Sequence, residues 1–355
     1  MPKFINYGEP GLFDEFMQGL DVATHETPLM RVGKVVDWAL FEPELLKTIV
    51  KDSQGPGGRP RFHPLVMFKI LVLQRLHGLA DDATSFQITD RHSFRAFLGL
   101  TPADAVPDGQ TIADYRELLV KNDTFDRLFD LFLEHLQARH GLGLGKEGVM
   151  IDASFVEVPK QRNSREKNAL IKEGKVPQEF IENPHVGAHK DTDARWTKKN
   201  NETYYGYKDH VKVDVADKII LDGVTTAASV HDSQTVAELI KPGDKVLYAD
   251  SAYCGQKIES DLVSKNVEPQ ICEKGTKGAA LTEEQKAGNR QKSRVRTRVE
   301  HVFAQMTGSM KALRQRCIGF DRNDALIKLT NLVYNMLRFE QIKRLDIHYT
   351  RPLMA

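Results

Sequence analysis

Three acids in unfavourable company are the residues most able to do chemistry. Glu300 is the single acid between Asn289 and Arg316, where it follows Lys292, Arg294, Arg296 and Arg298. Val295, Val299, Val302, Phe303, Met306, Met310 and Leu313 recur there at helical spacing, which predicts one amphipathic helix with Glu300 near its buried face. Arg296 and Glu300, four apart, share a side of that helix, with Arg294 and Arg298 alongside. Asp152 lies inside VMIDASFVEV (149–158), and Asp250 ends the apolar run KVLYAD (245–250). Each acid alone has an ordinary explanation: a strand-end hydrogen bond, a helix cap, a salt bridge. Brought together, three half-buried carboxylates would cost several kcal/mol each, by order of magnitude, unless paired or bound to cations. Oxygen-only ligation favours Mg²⁺ or Mn²⁺. Two such ions roughly 3.5–4 Å apart can activate an attacking oxygen and stabilise a leaving one in phosphoryl transfer.

The elements around these acids decide whether they meet. In 149–158, Val149, Ile151, Ala153 and Phe155 face one way and Met150, Asp152, Ser154 and Val156 the other, the pattern of a strand. Strands are also predicted over 204–215 and 218–227, joined by a turn at Asp217-Lys218, then over 245–250 and 267–272. Helices fall after His231-Asp232-Ser233 and over 258–264, and a last one, 323–344, is expected to pack on the sheet. The order suits a mixed α/β sheet with an antiparallel meander at one edge and helices on both faces. If the first strand and the one ending at Asp250 are neighbours, both aspartates come to one region, and a helix over it could bring Glu300. Between the first two strands, Pro159 to Glu202 is polar and carries Lys160, Arg162, Arg165, Lys167, Lys172, Lys175, Lys190, Arg195, Lys198 and Lys199, a basic insertion able to meet phosphate.

The preceding part, 1–143, reads as an all-α domain. GLFDEFMQGL follows Pro10-Gly11, an apolar stripe runs from Val35 to Val50, and the chain breaks at 55–60. A strongly apolar helix opens at His63-Pro64 and stops at Gly78, and shorter helices follow to His140. Helices of this kind could form a helix-turn-helix or a dimer interface. Gly141 to Gly148 lacks the Walker spacing and the Ser or Thr after its lysine, so it is a linker and no nucleotide cofactor is expected. With 355 residues, 41% hydrophobic and 28% charged, the chain has room for two cores, and its net charge of +1 requires any basic footprint to be local. Cys254, Cys272 and Cys317 are too few and too widely spaced for a disulfide framework or a Cys-based zinc site. No signal-like or membrane-spanning run is visible, so a cytoplasmic location without membrane association is expected. His210, His231 and His301 are expected beside the acids or in the core, not as ligands.

Several blocks follow one another along the chain. GRPRFHPLVMFKILVLQ (58–74), DRHSFRAFLGL from Asp90 and PDGQTIADYR from Pro107 come first. MIDAS around Asp152, RWTKK (195–199), YYGYKDHVKVD (204–214), VHDS (230–233), YADSAYCG (248–255) and RVRTRVEHVF (294–303) succeed them. In these blocks the chain resembles the DDE transposases of bacterial insertion sequences, those with an Arg-x-x-x-Glu third block. The resemblance implies an RNase H-like catalytic domain over 144–345, a tail over 346–355, and Asp152, Asp250 and Glu300 as catalytic and metal-binding triad with two Mg²⁺ or Mn²⁺ ions. It implies cleavage of DNA at inverted-repeat ends, attack of the freed 3′-hydroxyl on target DNA, and a homodimer or higher assembly on DNA in a bacterial cytoplasm, nucleoid-associated when DNA is bound. Arg296, with Arg294 and Arg298, would position phosphate; Tyr207 and Lys208 would contact DNA near the site, and Trp196 could stack on an unpaired base. Related groups carry a Tyr and a Lys where this chain has Ser293 and Thr307, and Lys311, one turn on, is the expected substitute. The competing readings are a transposase-derived DNA-binding protein without strand transfer and a stand-alone metal-dependent nuclease.

Overall fold

The computed structural model describes residues 4–5, 26–51, 60–275 and 280–347. The expected helix after Pro10-Gly11, the break at 55–59 and the tail from 348 lie outside them. The chain divides into two compact units. The first takes in the helices up to Glu134 together with Ser309–Lys311 and the chain from Leu332; the second runs from His135 to Gly308 and from Ala312 to Asn331.

The first unit is helical, as expected. It contains α1 (Pro28–Val35), a 3₁₀ turn Trp38–Phe41, α2 (Glu42–Lys51), α3 (Pro64–His77), α4 (Asp81–Asp90), α5 (His92–Leu98), α6 (Gly109–Lys121) and most of α7 (Thr124–His140). Pro64 sits in the first turn of α3, where a missing N–H costs nothing, and Gly78 ends it in the left-handed region at φ 61°. Trp38, Phe41, Phe68, Phe97 and Phe132 build an aromatic core. The second half of the last helix belongs to this unit: Phe339 meets Phe132 at 6.2 Å and Glu340 pairs with Arg31 at 2.8 Å.

The second unit is built on a six-stranded sheet: β1 (Val149–Glu157), β2 (Arg195–Lys199), β3 (Glu202–Asp214), β4 (Ile220–Ala227), β5 (Val246–Ala249) and β6 (Glu268–Ile271). The order is β2-β3-β1-β5-β6, with β4 also on β3. β1 is antiparallel to β3 and parallel to β5, so the meander lies on one side of β1 and the parallel pair on the other. β2 is a difference from expectation. RWTKK falls in the polar, basic insertion, for which no strand is expected, yet it forms a hairpin with the start of β3. The rest of that insertion contains α8 (Arg165–Lys172) and the short α9 (Gln178–Glu182) and α10 (Pro184–Gly187). Its end is anchored by Asp191, 1% exposed, whose carboxylate accepts from Tyr207 Oη, Ala194 N and Gly319 N.

Register separates the two sheet faces. Val149 and Ile151 join Leu247 and Ala249 on one face, under α11 (Val236–Leu239) and α12 (Gln256–Ser264). On the other, Asp152 is paired with Val211, Ser154 with Asp209 and Val156 with Tyr207. That second face receives α13 (Glu283–Arg296), a 3₁₀ turn Thr297–Val299 and the first half of α15 (Phe320–Leu345), through contacts such as Ile327 against Tyr207. Between Tyr205 and Tyr207, only glycine suits position 206: φ is 145° and a Cβ would stand 2.2 Å from the Val156 carbonyl. The Gly141–Gly148 linker donates its Gly143 and Gly145 N–H groups to the Asp217 and Asp214 carboxylates.

Candidate active site

β1 and β5 pair only through Val149–Leu247 and Met150–Tyr248, while β1 continues to Glu157. β1 therefore runs on past the end of β5. The chain passes from β1 to the meander on one side and supplies β5 and β6 on the other, so the carboxyl ends of β1 and β5 lie at a switch point of the sheet, the region where open α/β sheets commonly bind ligands. Alternation places Asp152, two residues beyond Met150, and Asp250, two beyond Tyr248, on the same face at those strand ends.

Both aspartates are fixed by backbone. Asp152 Oδ1 accepts the Ala153 N–H at 2.8 Å, and Asp250 caps a 3₁₀ turn, Ser251–Tyr253, by accepting the Ala252 N–H at 2.8 Å. Burial pushes the Asp152 carboxyl up to about 6, and the neighbouring Asp250 charge acts in the same direction; the Ala153 N–H, Arg296 and Lys199 oppose it.

Glu300 arrives differently. The expected single helix is three pieces: α13, opened by a Thr282–Gln285 capping box, the 3₁₀ turn, and α14 (Glu300–Gly308). Val295, Val299, Val302 and Met306 are buried as the spacing predicts, and Glu300 opens α14 with its side chain 56% exposed. Arg296 stands between the acids, 3.9 Å from Asp152 and 3.4 Å from Glu300. Among the described residues, no three His, Cys, Asp or Glu side chains form a group able to hold a metal ion.

Other expected site residues separate. Arg294 is exposed, and Arg298 donates to the Ala216 carbonyl at 3.3 Å. Of the two residues expected to contact DNA, Tyr207 is fully buried with its hydroxyl on Asp191, and Lys208 is buried with Nζ 2.7 Å from both the Val230 carbonyl and Asp232. Lys311 also departs from expectation. α14 stops at Gly308, and Lys311 sits at φ 50° in a non-helical turn, so it is not one helical turn beyond Thr307. Trp196 is 43% exposed on β2, tilted against Tyr205 at 4.8 Å. His231 Nδ1 accepts the Ser233 N–H, His301 meets Lys218, and buried His210 meets Thr226. Sequence reasoning did not single out the Phe155–Tyr204 stack at 4.2 Å with Lys199 over Phe155, or Tyr253. The signal for Tyr253 was its place three residues after an acid that caps its own turn.

A family model described as "Transposase DDE domain" matches residues 143–336, more than half the chain. The chain belongs to the transposase DDE-domain family. A second model, "Transposase domain (DUF772)", matches residues 18–118. Among solved structures, a piggyBac transposase synaptic complex with hairpin DNA aligns over 92% of this chain and 78% of its own, at 12% identity and a TM-score of 0.43. The DDE-domain family acts on DNA and generally uses divalent metal. The donors here suit such an ion chemically: Asp152 and Asp250 are hard oxygen ligands, and the half-buried Asp152 carboxylate feels the Asp250 charge, with Arg296 3.9 Å away. No helix among the described residues is long and apolar enough to cross a membrane.

Proposed function

We propose that this transposase cleaves DNA at the inverted-repeat ends of an insertion sequence and joins the freed 3′-hydroxyl to target DNA, with Asp152, Asp250 and Glu300 as its catalytic triad. The observation that carries the proposal is the Asp152–Asp250 pair at the open end of β1 and β5, linked to Glu300 through Arg296. These three carboxylates would hold Mg²⁺ or Mn²⁺, two ions in the active complex, and the bound metal supplies activation of the attacking oxygen and stabilisation of the leaving one. The backbone bonds at Ala153 and Ala252 keep the two aspartates aimed before DNA arrives. Arg296 has two parts to play: it offsets the carboxylates in the free protein and offers its guanidinium fork to a phosphate oxygen once DNA is bound. Exposed Arg294 and half-buried Arg298 extend that cationic edge along the backbone. Trp196, exposed on the insertion hairpin, is the candidate for stacking on an unpaired base. The N-terminal helices would grip the DNA ends or join two protomers, since synapsis of two ends needs at least a dimer.

A labelled duplex bearing the element's inverted repeats, incubated with the full-length protein and Mg²⁺ or Mn²⁺, tests this. Specific end cleavage followed by strand joining is expected. Metal-independent binding without cleavage would make the chain a DNA-binding derivative, and unselective nicking would make it a nuclease. Full end cleavage by Asp152→Ala, Asp250→Ala and Glu300→Ala would remove the triad assignment.

A further inference from the structure

Tyr253 closes the 3₁₀ turn that Asp250 caps, and its N–H returns to the Asp250 carbonyl at 3.2 Å. Its ring is packed with Val236, Leu239, Ile258 and Leu262 and is 1% exposed. Its hydroxyl, buried with the ring, has no hydrogen-bond partner among the described residues. A buried hydroxyl left unpaired is costly, and leucine or phenylalanine would fill an apolar site without that cost. The charges of Asp152, Asp232 and Asp250 all reach this buried hydroxyl, which belongs to a residue already bonded through its N–H to Asp250. Asp232 already receives Lys208 at 2.7 Å. Asp152 and Asp250 each keep one carboxylate oxygen clear of their own backbone bonds, since Ala153 and Ala252 both engage Oδ1.

We propose, resting on the triad assignment above, that Tyr253 is a positioning residue whose hydroxyl donates to the Asp152–Asp250 pair when that pair holds a divalent cation. A donor on one oxygen fixes the carboxylate's orientation and leaves the other oxygen for the ion, the role that outer partners of metal-binding carboxylates commonly fill. The orphaned hydroxyl is thus retained for the loaded site rather than for the packing of the free protein.

The test is Tyr253→Phe in the full-length protein, which keeps the ring and deletes only the hydroxyl. Expected are an unchanged or slightly raised melting temperature, Mn²⁺ binding weakened about tenfold by titration calorimetry or Mn²⁺ paramagnetic resonance, and end cleavage that needs correspondingly more Mn²⁺ but recovers when it is supplied. A lowered melting temperature with unaltered Mn²⁺ affinity would assign the hydroxyl a structural role and overturn the proposal. So would Mn²⁺ binding and metal dependence both equal to wild type. Asp152→Ala separates the two levels of inference: if that variant still binds Mn²⁺ and cleaves as wild type does, the triad assignment fails. If it loses both while Tyr253→Phe changes neither, only the positioning role fails.

Discussion

Asp152 and Asp250 are held by the sheet, whereas Glu300 is held by a neighbour's side chain. The two aspartates leave adjacent parallel strands on one face, and each is tied to a backbone N–H one or two residues on. Glu300 sits more than half exposed at the start of a helix, and Arg296 is its recorded partner at 3.4 Å. The difference teaches that two ligands of the proposed site are set by the fold itself, and the third is set by a flexible side chain on a segment that has already changed helical geometry at Thr297–Val299. A group fixed by backbone cannot absorb a change in length; a group that reaches in from an exposed helix start can.

Lengthening or shortening each acid by one methylene gives the largest expected effect and the sharpest test of that contrast. Asp152→Glu and Asp250→Glu should each lose end cleavage by about 10³-fold or more, as fully as alanine, because carboxylates that act as a unit fail together when one is misplaced. Glu300→Asp should keep a residual activity at least about tenfold above Glu300→Ala. Single-turnover cleavage at saturating Mn²⁺ measures all four, and equal losses for Glu300→Asp and Asp152→Glu would break the comparison.

A second acid on the same face sharpens it from the other side. Asp209 is register-paired with Ser154 and fully buried; its Oδ1 receives Asn331 at 3.2 Å and its Oδ2 has no partner among the described residues. Burial raises its pKa to about 7 against the opposing Asn331 hydrogen bond, and the Asp324 charge adds a smaller push in the direction of burial. The ordinary aspartate value is about 3.9, so the native state holds its proton more tightly than the unfolded chain. That contribution is fully present below about pH 4 and is lost as pH rises through about 7. Asp209→Asn should therefore raise stability by about 2–4 kcal/mol at pH 8 and by little at pH 4, read as urea midpoints at the two pH values. A gain of the same size at both would mean that ionisation is not what costs stability there. Unlike Asp152, whose side chain is partly exposed, Asp209 is fully buried.

How much of this could be read in the chain follows the same division. The alternation through 149–158 separates Asp152 from Val149 and Ile151 without ambiguity, and the apolar run ending at Asp250 marks a buried parallel strand. Tyr207 could be read from its type alone as a core aromatic, and the resemblance of YYGYKDHVKVD to a family block suggested DNA contact; the side chain is buried. Helical spacing is blind to a 3₁₀ turn of three residues, since Val295, Val299 and Val302 stay on the buried side through it. Hence the break before Glu300 and the end at Gly308, which removes Lys311 from the helix, were not legible. β2 was missed because RWTKK has no apolar alternation; its strand state comes from pairing with β3.

Arg296 joins the two kinds of ligand, so its loss should fall between them. Removing a charge-assisted contact of this kind costs about 1.5–3 kcal/mol, roughly 10- to 100-fold in cleavage. Arg296→Ala should show that loss at moderate salt with Mn²⁺ binding retained, because the guanidinium competes with the ion for the same carboxylates. If Mn²⁺ binding disappeared with the arginine, Arg296 would be supporting the acids and not substituting for a cation.

The smallest effect is expected farthest from the sheet's fixed groups. Trp196 and Tyr207 are aromatic residues of one hairpin on the same sheet face, yet Trp196 is 43% exposed and Tyr207 is buried on Asp191. A base stacking on an aromatic ring is worth about 1–3 kcal/mol, with the low end apt for an exposed ring already resting on Tyr205. Trp196→Ala should therefore weaken binding of an end with unpaired bases by about 5- to 10-fold, leave a fully paired duplex unaffected and hardly change the melting temperature. Tyr207→Phe should do the reverse, lowering stability through the lost bond to Asp191 with no effect on either DNA. Fluorescence anisotropy on the two DNAs, with thermal melts of both variants, reads the four outcomes. Equal weakening on paired and unpaired ends would place Trp196 against the phosphate backbone and remove stacking as its role.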